Sequence, residues 1–340
     1  MDRQLSSYIG CLLGLAVGDG MSREPVNGFL ATTAYTQLAA YSCNGLLVGL
    51  TRGQISGTMA PPVRYAARAL GEWAGRQLWR TETPVRCWIS RSPRLDYRRC
   101  PEPEVLDVLR SGELGTMEDH DHALSGPCAL MTPVAAGLFF DPERIPRREI
   151  QRLGAEIAAL THGDPAAFLS GAAVAHMISR MIFDGDRDVW KLSCQAGFIL
   201  RRRFAREYPQ ASRVIGLLRQ ARTLSADETV SRTEALARLG SETADQVLAS
   251  AVYCLLACGK DPERILLTAA GSSGAVSALA GAMLGAMYGE EAIPETWREQ
   301  LECESVLREL AEDLYRGCPM MKGSRVFDIE WDEKYNTADL

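Results

Sequence analysis

The stretch Gly271-Ser272-Ser273-Gly274-Ala275-Val276-Ser277-Ala278-Leu279-Ala280-Gly281-Ala282-Met283-Leu284-Gly285-Ala286-Met287-Tyr288-Gly289 carries no charge. Ser277, Gly281 and Gly285 recur every fourth residue with Ala278, Ala282 and Ala286 beside them, so a helix here presents a stripe of very small side chains. Each glycine inside a helix costs about 1 kcal/mol relative to alanine, a loss that close packing must offset. The stretch therefore predicts a central, buried helix that a neighbour approaches at backbone distance.

Outward from this helix the chain keeps the same period. Residues 4–17, 31–50 and 61–79 show helical spacing, and so do 148–160, 165–182, 190–208, 211–224, 229–239, 243–258, 262–270 and 295–315. Between 81 and 145 prolines and glycines break the pattern into loops and short helices. Bounded alternating runs of Val and Ile are hard to find. The expected fold class is all-α, a large orthogonal array of about a dozen helices. It is read as a single domain over 1–320, followed by an acidic tail over 321–340 that carries Asp328, Glu330, Asp332 and Glu333.

With 340 residues, 46% of them hydrophobic, the chain buries a full core. A net charge of −6 opposes non-specific binding to nucleic acid or an anionic membrane, and Arg201-Arg202-Arg203 reads as a solvated helix face. Ten scattered cysteines without a paired CxxC pattern suit reduced core thiols and a cytoplasmic setting. Cys254 and Cys258 read as a packing pair. The apolar run Tyr8 to Val17 mimics a leader core, but Asp2 opposes Arg3 and the run leads into Gly18-Asp19-Gly20, so no leader is expected. No apolar run is read as reaching the roughly 18–20 residues of a membrane helix.

Five segments carry a resemblance. They are Gly10-Cys11-Leu12-Leu13-Gly14-Leu15-Ala16-Val17-Gly18-Asp19-Gly20, the later Pro25-Val26, Ser125-Gly126-Pro127-Cys128-Ala129-Leu130-Met131 before Gly137-Leu138-Phe139-Phe140, Thr161-His162-Gly163-Asp164-Pro165, and the small-residue helix quoted above. In this order and spacing the chain resembles the ADP-ribosylglycohydrolase family, of the dinitrogenase-reductase-activating glycohydrolase type. Asn44-Gly45-Leu46-Leu47-Val48-Gly49 and Leu109-Arg110-Ser111-Gly112 extend the likeness between the motifs. The resemblance implies an all-α fold whose active members use two magnesium ions to remove ADP-ribose from a side chain.

The departures fall on the metal ligands. Active members start the second helix with Thr-Asp-Asp-Thr, where this chain has Thr33-Ala34-Tyr35-Thr36. The acidic residue that follows Pro-Val in the family is Asn27 here, and Glu24 lies before the proline. The last metal motif falls on Gly271 to Ser277 in one register and on Gly274 onward in another. Neither register, through Ser272, Gly274 or Ser277, supplies a carboxylate. Magnesium is a hard cation that needs oxygen ligands in octahedral array, and two such ions need several carboxylates to offset their mutual repulsion. No magnesium, and no other cofactor, is expected. The Arg that usually follows the family's Met is Thr132 beside Met131.

Removal of carboxylates also removes repulsion toward a dianion such as ADP-ribose. By resemblance His162 contacts the ligand near the ribose and phosphates, and Asp19, Asn27, Gly126 and Met131 are the other ligand candidates. His162 is equally read as a capping and packing residue, and Asp19 as a structural acceptor for helix-end amides. Apart from this set, Glu118-Asp119-His120-Asp121-His122 gathers imidazole and carboxylate, so His120 and His122 form an alternative metal pair set against an exposed acidic loop. The resulting expectation is a catalytically inactive family member that binds ADP-ribose, a related nucleotide or an ADP-ribosylated protein. The alternatives are a hydrolase with a non-standard metal site and a scaffold or regulatory partner of an active paralogue.

Overall fold

Asp2 caps the first helix of the computed structural model, its carboxylate accepting from Gln4 N at 2.8 Å. The structure describes residues 2–26, 28–78, 86–119 and 123–337. Of the residues singled out above, Asn27, His120, Asp121 and His122 lie outside these, as does residue 79 at the end of the third expected helix. The helices are α1 (Arg3–Gly20), α2 (Ala34–Ser56), α3 (Pro62–Gln77), α4 (Pro93–Asp96), α5 (Pro103–Ser111), α6 (Pro133–Phe139), α7 (Arg147–Ala159), α8 (Pro165–Phe183) and α9 (Val189–Ile199). They continue with α10 (Ala211–Ser225), α11 (Arg232–Leu239), α12 (Ala244–Ala257), α13 (Pro262–Ala270), α14 (Gly274–Tyr288), α15 (Glu295–Glu299), α16 (Glu304–Arg316) and α17 (Ile329–Tyr335). Among the described residues there is no strand beyond two isolated bridges, Val26 with Phe29 and Leu30 with Leu301.

The fold is all-α, with seventeen α-helices among the described residues rather than a dozen. The excess comes from places where helical spacing is too short to register. Three short helices lie between 81 and 145, the expected 295–315 helix is divided at residue 300, and α17 arises within the acidic segment. There Trp331 and Tyr335, four apart on one face, are buried: Trp331 Nε1 donates to Thr51 Oγ1 at 2.9 Å and Tyr335 OH to Asp313 Oδ2 at 2.7 Å.

At the centre α1 and α14 run antiparallel at backbone contact. Gly14 faces Gly281, Gly10 faces Gly285, and Gly18 faces the carbonyl of Ser277. A Cβ built on Gly14 would strike the Gly281 carbonyl, and one on Gly281 would strike that of Gly14. The small-residue stripe on α14 thus meets a matching stripe on α1. Around this pair α2 and α16 pack on α1, and α8, α12 and α13 on α14, while α6 and α7 cover α8.

Contrary to the sequence expectation, α8 is long and apolar enough by length and composition to cross a membrane, but its most apolar window is 89% buried inside the fold. All ten cysteines are free, seven of them buried, and Cys258 Sγ donates to Thr268 Oγ1 at 3.4 Å.

Candidate functional site

The end of α1 meets the start of α2 through one carboxylate. Asp19, fully buried, accepts from Thr33 N at 2.7 Å and Thr33 Oγ1 at 2.7 Å, and from Thr36 N at 3.2 Å and Thr36 Oγ1 at 2.6 Å. Thr33 Oγ1 in turn accepts from Tyr35 N at 3.2 Å, which caps α2. Of these bonds Oδ2 accepts three and Oδ1 one, against about four lone-pair positions on a carboxylate. Asp19 therefore serves the first-turn amides and hydroxyls of α2. Burial pushes its carboxyl above the usual range, and the bonds from Thr36 and Thr33 pull it back.

Tyr35 stands half-buried at the first turn of α2, its ring edge 3.8 Å from where a Cβ on Gly274 would lie. Burial first, then the nearby Cys128 and Glu102, push its phenol well above the ordinary value, so it is a neutral donor. Ser22 and Gly274 are half-buried beside it, and Ser272 and Ser273 are half-buried just before α14. Ser273 caps α14, its Oγ accepting from Val276 N at 3.3 Å. The position of the expected last metal motif is thus an ordinary serine cap. Ser277 lies fully buried in the α1 seam with its Oγ unpartnered, and Ala34 is buried as well.

Glu102, just before α5, is the carboxylate that the sequence does not announce. Its Oε2 lies 2.9 Å from the position of a Cβ on Gly126, so a larger residue there would displace the end of the Glu102 side chain; the φ of −64° is open to any residue. Burial raises the Glu102 carboxyl, and bonds from the Cys128 thiol and backbone oppose that rise. Burial and the adjacent Glu102 hold the Cys128 thiol well above its usual range, so it is no nucleophile. Glu102 comes from a Cys-Pro-Glu-Pro segment with no helical period, which the chain path carries to the loop at 126–128. Arg23, exposed at the rim, donates to Cys100 Sγ at 3.0 Å.

The two remaining ligand candidates lie deeper. Met131 and His162 have no exposed surface. His162 follows the end of α7, where its N–H reaches Ala158 O at 3.1 Å; the cap of α8 is Asp164, which accepts from Ala166 N at 2.9 Å. His162 Nδ1 bonds Thr161 Oγ1 at 2.8 Å and Nε2 has no partner. Burial drops its pKa from 6.5 to about 3, and that of His176 to about 4. The unfolded chain takes up these protons below about pH 6.5 while the folded one does not, so stability is lost as pH falls from 6.5 toward 3. The slope is about 1.4 kcal/mol per pH unit for each histidine. In urea unfolding at pH 6 and pH 5, His162→Gln is expected to lose about 1.4 kcal/mol less than the parent across that step. An equal loss in both proteins would rule out a buried neutral His162.

The residues present do not fit a pair of magnesium ions. Thr33, Ala34, Tyr35, Ser272, Gly274 and Ser277 are neutral, and Asp19 already accepts four hydrogen bonds. Among the described residues no group of three or more His, Cys, Asp or Glu is placed to share a metal ion. Of the Glu118–His122 constellation, Glu118 pairs with Arg152 at 3.6 Å and Asp119 N bonds Thr116 Oγ1 at 2.9 Å. What the cluster offers is a set of neutral hydroxyl and amide groups with two carboxylates, Asp19 and Glu102, which suits hydrogen bonding better than ionic catalysis.

The family model for ADP-ribosylglycohydrolase matches residues 1–323. The chain is 27% identical to ADP-ribosylhydrolase ARH3 of Bos taurus over 197 residues, covering 50% of this chain and 52% of that protein. It is 31% identical to ADP-ribosylhydrolase ARH3 of Homo sapiens over 124 residues, 32% of this chain and 33% of that one. The matches thus span about half or less of these relatives' length. A solved structure described as an ADP-ribosylglycohydrolase-related protein complex superposes with a TM-score of 0.63 at 20% identity, covering 93% of this chain and 99% of that one, a likeness of fold. With a family match across nearly its whole length and the all-helical architecture to accompany it, this chain belongs to the ADP-ribosylglycohydrolase family.

Proposed function

We propose that this family member binds an ADP-ribose-type ligand, either free or on a protein, without hydrolysing it. The start of α2 carries the reading. By resemblance, active members place two carboxylates there; here Ala34 is buried and Tyr35 presents a protonated phenol toward Gly274. Both threonines of the motif are turned inward to Asp19. A site with fewer carboxylates repels a diphosphate less, and the half-buried hydroxyls of Ser22 and Tyr35 suit ribose. Ala34 and Tyr35 also supply no carboxylate to hold a cation that would stabilise negative charge developing on the leaving group.

Calorimetric titration with ADP-ribose, in magnesium and in chelator, tests the reading. Saturable binding is expected, equal in both buffers within about twofold, the spread that a purely protein-borne site allows. Absence of heat and of any thermal shift would remove ligand binding. Affinity that collapses in chelator would remove the metal-free site. The activity of the curated relatives, the alternative of a relocated metal at His120 and His122, and a scaffolding role are set against this reading by the same titration.

A further inference from the structure

Helix α9 passes into a single π-turn, Leu200–Phe204, that leaves Arg201, Arg202 and Arg203 exposed. Such turns break the helical register and recur at functional sites. Here it and the first turns of α7 wall a cavity of about 400 Å³, lined by Arg147, Arg148, Arg202, Arg203, Gln151 and Phe198, with no acidic side chain in the lining. Four arginines in one lining stand out in a chain of net charge −6. Arg147 is paired with Asp184 and Arg148 with Glu149, whereas Arg202 and Arg203 have no ion-pair partner among the described residues.

Two further features point to a ligand. Gln151 is 3% exposed; its Nε2 meets His176 Nδ1 at 3.1 Å, and its Oε1, buried in the cavity wall, has no partner. An unpaired buried acceptor is costly unless something donates to it. Phe198 is 64% exposed, a free aromatic face at the mouth. Guanidinium forks match phosphate oxygens and the ring offers a stacking surface for a planar base, with the unpartnered Gln151 oxygen buried beneath the lining.

We propose that this cavity is a second site, separate from the cleft at Asp19 and Tyr35, and that it takes a nucleoside diphosphate. The volume lies within the range of small-molecule sites, about 300–1,000 Å³. The test uses the full chain in about 0.1 M salt, where long-range attraction is screened, titrated with ADP, inorganic pyrophosphate and adenosine. ADP and pyrophosphate are expected to bind and adenosine not. Arg202→Ala with Arg203→Ala, both at exposed positions, is expected to weaken ADP and pyrophosphate by at least ~30-fold while the unfolding midpoint holds. Phe198→Ala is expected to weaken ADP by about tenfold and to leave pyrophosphate unchanged. ADP and pyrophosphate binding that survives the double substitution would place the diphosphate elsewhere, including the Tyr35 cleft, and overturn the proposal, as would failure of pyrophosphate to bind.

Discussion

Gly281→Ala is expected to lower the free energy of unfolding by about 3 kcal/mol or more, and Gly216→Ala, the same change in α10, to raise it by about 1 kcal/mol. The opposite signs follow from what each new methyl group meets. At Gly216 there is nothing within 4 Å, so the substitution gains only alanine's better helix propensity. At Gly281 the methyl would be driven into the carbonyl of Gly14, and backbone atoms of a buried helix cannot turn aside as a side chain can. The two helices would have to separate, and the seam from Gly10–Gly285 to Gly18–Ser277 would separate with them. Larger residues at Gly14 or Gly281 should prevent folding. Urea unfolding of the two alanine variants checks this, and a neutral Gly281→Ala would show that α1 and α14 do not pack at backbone distance.

Asp19→Ala is the other change with a large expected effect, about 3–5 kcal/mol of lost stability. It strands two amides and two hydroxyls at the buried start of α2, each costing about 1–3 kcal/mol less whatever water regains. Asp19→Asn keeps one acceptor oxygen and should fall between the parent and the alanine variant. Thermal and urea unfolding of the pair measure the effect. If instead Asp19 were a free ligand group, Asp19→Ala would leave stability nearly unchanged and alter ADP-ribose affinity alone.

The helical class and the central position of α14 are legible because the four-residue recurrence of Ser277, Gly281 and Gly285 is a local signal. The partner stripe Gly10, Gly14 and Gly18 has the same period, and the pairing could have been read from it. Asp19 is legible as an acceptor for helix-end amides; that those amides belong to α2, across the intervening loop, depends on the fold. Glu102 is illegible for the same reason, since nothing local in its proline-rich segment marks it for Gly126 and Cys128. In the C-terminal segment the acids masked the spacing of Trp331 and Tyr335, whose burial folds α17 against α2. His162 shows the limit of motif reading, because its position in the sequence is shared with a capping residue, and in the fold Asp164 is the cap.

Release of ADP-ribose from an ADP-ribosylated peptide, at enzyme equal to substrate and in excess magnesium, tests the proposed loss of metal-dependent hydrolysis most directly. The prediction is a rate indistinguishable from the enzyme-free control and unaffected by chelator. Release that requires the protein and stops when magnesium is chelated would contradict it.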